Sequence, residues 1–94
     1  MRSVWTAHAL DDLSAIVTYI AKEDRVAASQ LLDRIDETGS VTLPANPNMG
    51  RPGRVEGTRE FVVHPSYILV YRVQVDRLEI LTVRHSARSW PDQF

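Results

Sequence analysis

The hydrophobic period of this chain changes once, and that change limits its fold more than any other feature. Before residue 44 the apolar side chains recur at steps of three and four; from Arg59 onward they alternate or run continuously. The first spacing lines one face of a helix and the second suits strands. A chain of 94 residues that is helical first and stranded afterwards can bury both apolar surfaces by laying its helices on its sheet.

The opening Arg2-Ser3-Val4-Trp5 is β-prone, and Thr6 stands where a helix N-cap would. Leu10, Leu13, Ile16, Val17 and Ile20 follow at helical spacing. This predicts a first helix over about 7–22, with Asp11 and Asp12 near its positive end. Asp24 caps a second helix carrying Ala27, Ala28, Leu31, Leu32 and Ile35. That helix is expected to reach about Leu43, fraying at Gly39-Ser40 and ended by Pro44. A short link makes the pair an antiparallel hairpin, and Ala15, Ala27 and Ala28 would permit close approach.

Residues 44–57 hold three prolines and three glycines and show no period. They read either as a tether between helices and sheet or as a binding loop. Strands are expected at 59–64, 67–75 and 78–85, the middle one central because it is apolar on both faces. Asp76-Arg77 connects the last two, and residues 86–94 form a short irregular end. The order β-α-α-β-β-β defines a single domain over 1–94, an α+β fold with a helical hairpin on one face of a small, mainly antiparallel sheet.

Composition excludes several functions. There is no cysteine, so neither disulfides nor thiol catalysis are available. No apolar run approaches the roughly 20 residues of a membrane helix, and the start is no secretory signal, so a cytoplasmic protein without a membrane partner is expected. No glycine-rich phosphate loop or nucleophile elbow occurs, and His8, His64 and His85 match no ligand spacing. No metal or cofactor is expected.

The net charge of −1 hides an asymmetry. Residues 1–49 carry four basic and seven acidic groups, whereas residues 50–94 carry seven arginines and five acids. Arginine pairs bidentately with carboxylate and phosphate, which makes the second half the side to search for an anionic partner. Arg72 and Arg84 lie on neighbouring strands. Depending on register, Arg72 falls near Arg84 or His85, and Arg51, Arg54, Arg59 and Arg88 could complete a basic concavity. The alternative is that these arginines only solvate an uncovered sheet face. His64 and His85 are the side chains that could supply a base and an acid for metal-free RNA cleavage.

Several ordered segments resemble the RelE/ParE family of toxins from bacterial type II toxin–antitoxin modules. They are Trp5 with Ala9-Leu10-Asp11-Asp12-Leu13; Ile16 with Tyr19-Ile20; Met49-Gly50-Arg51-Pro52-Gly53; and Thr58-Arg59-Glu60. Tyr67 through Val73, Leu78-Glu79-Ile80-Leu81 and Val83 through Trp90 complete the set. The resemblance implies a cognate antitoxin as partner, with Trp90 and Phe94 as anchors for its helix, and operator DNA bound only through that antitoxin. It also implies a role in plasmid stabilisation.

RelE-like members cut messenger RNA on the ribosome, and ParE-like members poison DNA gyrase. The cutting branch places an arginine after an aromatic in the central strand, where this chain has Ile68 after Tyr67, and lysines in the loop that here holds Arg51 and Arg54. The resemblance is therefore closer to the ParE branch. It implies a non-enzymatic gyrase inhibitor with target-binding candidates Arg51, Arg54, Arg59, Arg72, Arg84, His85 and Arg88. The alternatives are an RNA-cutting toxin using Arg72, Arg84, His85 and Arg88, or a non-toxic member that only binds antitoxin.

Overall fold

A computed structural model describes residues 1–87. Strand β1 (Arg2–Trp5) leads into helices α1 (Ala7–Ala21) and α2 (Arg25–Glu37). A π-helical stretch (Thr38–Thr42) and one further turn, α3 (Leu43–Ala45), follow. Strands β2 (Arg51–Pro52), β3 (Arg59–His64), β4 (Tyr67–Val73) and β5 (Arg77–His85) follow within the described residues. The sheet order is β1-β5-β4-β3-β2, with β1 parallel to β5 and the other pairs antiparallel. This is the expected α+β arrangement.

Both N-caps form as the sequence predicts. Thr6 Oγ1 accepts from the Ala9 amide at 3.1 Å, and Asp24 Oδ1 accepts from the Ala27 amide at 2.9 Å. Thr6 also donates its hydroxyl to the Leu81 carbonyl at 3.1 Å, tying the start of α1 to the sheet. Ala9, Leu13, Leu31 and Ile35 bury against Leu69, Tyr71, Leu78, Ile80 and Val83, which form the main core. Each large aliphatic side chain buried there contributes about 1.5–3 kcal/mol. Ala28 is buried in the helical layer as expected, but Ala15 is exposed and the small core residue on α1 is Ala9.

Pro44 does not end the helical run; it lies inside its last turn. In a regular α-helix its ring would press on the carbonyl of Ser40. The Leu43 amide instead bonds back five residues to the Thr38 carbonyl, and this wider turn accommodates the proline. Gly39 lies in the same stretch, directly beneath the Trp5 indole.

The stretch from 44 to 57 is more ordered than a tether. It contributes edge strand β2, with Arg51 opposite Glu60 and Pro52 opposite Arg59. A proline fits such an edge because it cannot donate to a ladder. The β4–β5 turn spans Gln74–Asp76 rather than two residues, and the Gln74 amide bonds the Arg77 carbonyl at 2.8 Å. Pairing is interrupted at Val63 and at Leu81, where one residue of the strand lacks a partner in the ladder.

Candidate functional site

The antiparallel register decides which candidate side chains meet. Tyr67 lies opposite His85, Ile68 opposite Arg84, and Arg72 opposite Glu79. Arg72 is thus four residues along β4 from the Arg84 row, about 13 Å away at the rise of a strand. The expectation that Arg72 falls near Arg84 or His85 is corrected: it belongs to the other end of the sheet. There its Nε sits 3.4 Å from Glu79 Oε1, and Arg77 reaches both Glu79 and Asp76.

Arg59 is also absent from any shared concavity. It lies opposite Tyr71, on the helix-covered side, and its guanidinium donates to the Gly50 carbonyl at 2.7 Å. Arg51 and Arg54 converge on Glu60 at the β2–β3 edge, at 3.2 and 3.8 Å from Oε1. The described arginines expected to form one basic surface therefore separate into four places: Arg72 on Glu79, Arg59 on the Gly50 carbonyl, Arg51 and Arg54 on Glu60, and Arg84 at the other end of the β4–β5 pair from Arg72. Arg88, Trp90 and Phe94 lie outside the described residues.

One groove does assemble candidate residues. It lies between α1 and the far ends of β4 and β5, has a volume of about 650 Å³, and is lined by Ile16, Tyr19, Tyr67, Arg84 and His85 among others. Tyr19 projects from α1 with 72% of its surface exposed. The Tyr67 ring stands 5.5 Å from the His85 ring, edge to face, and 5.7 Å from the tilted His64 ring. The three rings form a short ladder, of which Tyr67 and His85 line the groove.

The histidines are held in a defined tautomer. His64 Nδ1 accepts from the Ser66 amide at 3.0 Å, and His85 Nδ1 accepts from the Ala87 amide at 3.1 Å. With Nδ1 accepting, the neutral ring carries its proton on Nε2 and can only donate there. In this arrangement neither ring offers a free lone pair to a ribose hydroxyl.

Asp12 closes the groove from the α1 side, a role the sequence did not suggest. It was expected only to favour the helix dipole, but it lies beyond the first turn. Its Oδ2 accepts from the Thr82 hydroxyl and, at 3.2 Å, from the Val83 amide, while His8 Nε2 approaches to 3.4 Å. β1 pairs with β5 only as far as Ile80, so Asp12 satisfies the strand edge beyond that point.

A second polar centre fixes the turn before β2. The Tyr71 hydroxyl donates to the Pro47 carbonyl at 2.7 Å and accepts from the Gly50 amide at 2.9 Å. Burial pushes the phenol pKa above its ordinary value, while the Gly50 hydrogen bond and the Arg59 charge pull the other way. Gly50 is required because a Cβ there would lie 2.7 Å from that hydroxyl. Sequence reasoning treated Tyr71 only as an apolar strand residue. Tyr71 lies in the apolar strand β4, and its partners Gly50 and Pro47 are distant in sequence, so no local signal marked this contact.

Ile68 and Val70, from the sheet side opposite the helices, form a small buried cluster with Leu81. Ile68 is 3% exposed. Among the described residues no group of three or more His, Cys, Asp or Glu could hold a metal ion, and no helix is long and apolar enough to cross a membrane.

Comparison with known proteins adds independent information. The model of the family described as ParE toxin of type II toxin–antitoxin system, parDE, matches residues 4–90. A Sinorhizobium fredii protein named "Putative toxin Y4kP" is 44% identical over 88 residues, covering 93% of this chain and 90% of its own. "Toxin RelE2" of Caulobacter vibrioides is 38% identical over 85 residues, covering 90% and 94%. Among solved structures, a chain of a chromosomal ParDE system from P. aeruginosa superposes with a TM-score of 0.74 at 25% identity, covering 90% of this chain and 95% of its own. A YoeB/ParE toxin from Agrobacterium tumefaciens gives 0.65 at 22% identity, covering 90% and 98%, and so bears on the fold.

Proposed function

The chain belongs to the ParE toxin family of type II toxin–antitoxin systems, and from that premise we propose that it inhibits DNA gyrase by binding rather than by catalysis. Membership implies a cognate antitoxin as partner. The observation that carries the proposal is the burial of Ile68, 3% exposed and opposite Arg84. In the RNA-cutting branch this is the position of an arginine that holds phosphate. An isoleucine in an apolar cluster cannot hold one, and loss of a cation from such a site removes several kcal/mol of transition-state stabilisation. The histidine tautomers favour the same reading.

In this reading Arg84 and His85, with Tyr19 and Tyr67, form the surface that meets gyrase. The toxin works in the cytoplasm, the antitoxin covers it and carries any operator contact, and the module serves plasmid stabilisation. The test is a supercoiling assay with purified gyrase, run beside a ribosome-dependent mRNA cleavage assay. Inhibited supercoiling with intact mRNA supports the proposal, and the reverse result refutes it.

A second reading, ribosome-dependent mRNA cleavage, draws on one specific observation: Arg84, His85 and Tyr67 share a groove that could admit a nucleotide. The cleavage arm of the same experiment decides it. A folded chain silent in both assays is a family member that only binds antitoxin.

A further inference from the structure

Strand β1 brings Arg2 directly opposite Arg77 on β5, so the two guanidinium groups leave the sheet on the same side. Arg72 stands opposite Glu79 on the neighbouring strand. Arg77 and Glu79 are two residues apart, so all four side chains share one face. It is the face away from the helices, because Tyr71, next to Arg72, belongs to the main core. Like charges placed opposite each other across a strand pair repel. Nothing within the sheet favours Arg2 beside Arg77.

Acceptors are scarce at this end. Glu79 serves three donors and none closely: Gln74 Nε2 at 3.2 Å, Arg72 Nε at 3.4 Å and Arg77 Nη2 at 3.4 Å. Arg77 also has Asp76, at 2.8 Å. Among the described residues, Arg72 Nε is the buried side-chain polar atom without a hydrogen bond. The exposed Arg2 side chain has neither a hydrogen bond nor an ion pair among them. Three arginines against two carboxylates leave one positive charge over. Val75, in the adjoining turn, is fully exposed at 101%. A lone surface valine is ordinary, but turns favour Gly, Asn, Asp, Ser or Pro. Here the flanking Gln74 and Asp76 are both tied into the network, so the tip is fixed while its apolar side chain stands in solvent.

We infer that Arg2, Arg72 and Arg77, with Val75 at their border, form a docking surface for a segment of a partner protein that carries a carboxylate beside an apolar side chain. The carboxylate supplies the missing acceptor and offsets the repulsion between Arg2 and Arg77, and a guanidinium fork takes it bidentately. The apolar neighbour covers Val75. A duplex is the poorer fit, since its affinity needs many cations and the whole chain carries −1. This surface lies at the opposite end of the β4–β5 pair from the groove proposed to meet gyrase, and it stands whether or not that reading holds.

The test uses the 94-residue chain and a blocked peptide of alternating aspartate and leucine at low ionic strength. NMR follows the arginine Nε–Hε and valine methyl signals. Saturable shifts at Arg2, Arg77 and Val75 are expected, larger than those at Arg25 and Arg34 on α2. A serine–leucine peptide should leave the arginine signals still. Arg2→Glu should weaken binding about tenfold or more without lowering the melting temperature, because Arg2 has no described side-chain partner to lose. Val75→Ser should weaken it by a smaller factor. Absent or non-saturating shifts, equal shifts at Arg25 and Arg34, or an affinity indifferent to either substitution overturns the inference. Tighter binding of a duplex oligonucleotide overturns it in favour of a nucleic acid. Shifts that grow with protein concentration alone, without peptide, overturn it in favour of a second copy of the chain.

Discussion

The Trp5 indole lies so close to Gly39 that a Cβ on residue 39 would stand 2.5 Å from the ring's Cζ2. First strand and π-helical stretch are therefore fitted to each other across the edge of the sheet. The indole Nε1 donates to Ser40 Oγ at 3.3 Å, and Ser40 donates on to Asp36. Gly39→Ala forces the ring or the helical turn to move. Overpacking of this kind costs about 1–3 kcal/mol, less a fraction regained from alanine's helix propensity. Urea denaturation measures it, and unchanged stability would mean that the indole swings aside freely.

Tyr71→Phe removes the hydroxyl that joins Pro47 and Gly50, leaving a buried amide without its acceptor. The expected loss is about 1–3 kcal/mol by chemical denaturation. An unchanged midpoint would show that another acceptor replaces the hydroxyl.

The same tyrosine predicts an alkaline pH dependence. Its pKa is raised in the folded chain above the ordinary 10.0, so above that pH the unfolded chain loses its proton first. The unfolded state then binds fewer protons than the native one, and stability falls as pH rises. The contribution is complete below pH 10 and decreases from there through the native pKa. Melting curves from pH 9 upward should show a decline in the native chain that is shallower in Tyr71→Phe.

Asp12→Ala strands the Val83 amide and the Thr82 hydroxyl at the unpaired edge of β5, at a cost of about 1–3 kcal/mol. Thr82→Val in the same chain removes one of those groups, so the double variant should lose less than the two single losses combined. Strict additivity in a double-mutant cycle would argue that Thr82 and Asp12 do not act together.

Arg84→Glu should reduce gyrase inhibition by about tenfold or more, since it reverses a charge in the groove proposed to meet the target. Antitoxin affinity should change far less. Parallel loss of both, measured by titration calorimetry and supercoiling, would indicate a damaged fold or one surface shared by both partners.

The sequence by itself determined the two periods, both N-caps, the helical hairpin and the three long strands, because each depends on residues a few positions apart. It also placed Ile68 in a central strand. It could not determine the parallel pairing of β1 with β5, the edge strand inside a loop rich in proline and glycine, or the widened turn that admits Pro44. Those features depend on backbone groups brought together from distant parts of the chain. The arginines show the difference most clearly. Their number and their concentration in the second half are read directly, but only the antiparallel register put Arg72 on Glu79 and Arg84 beside the groove. Sliding one strand past another by a single residue changes every cross-strand partner, and only the packed tertiary structure decides which register is adopted.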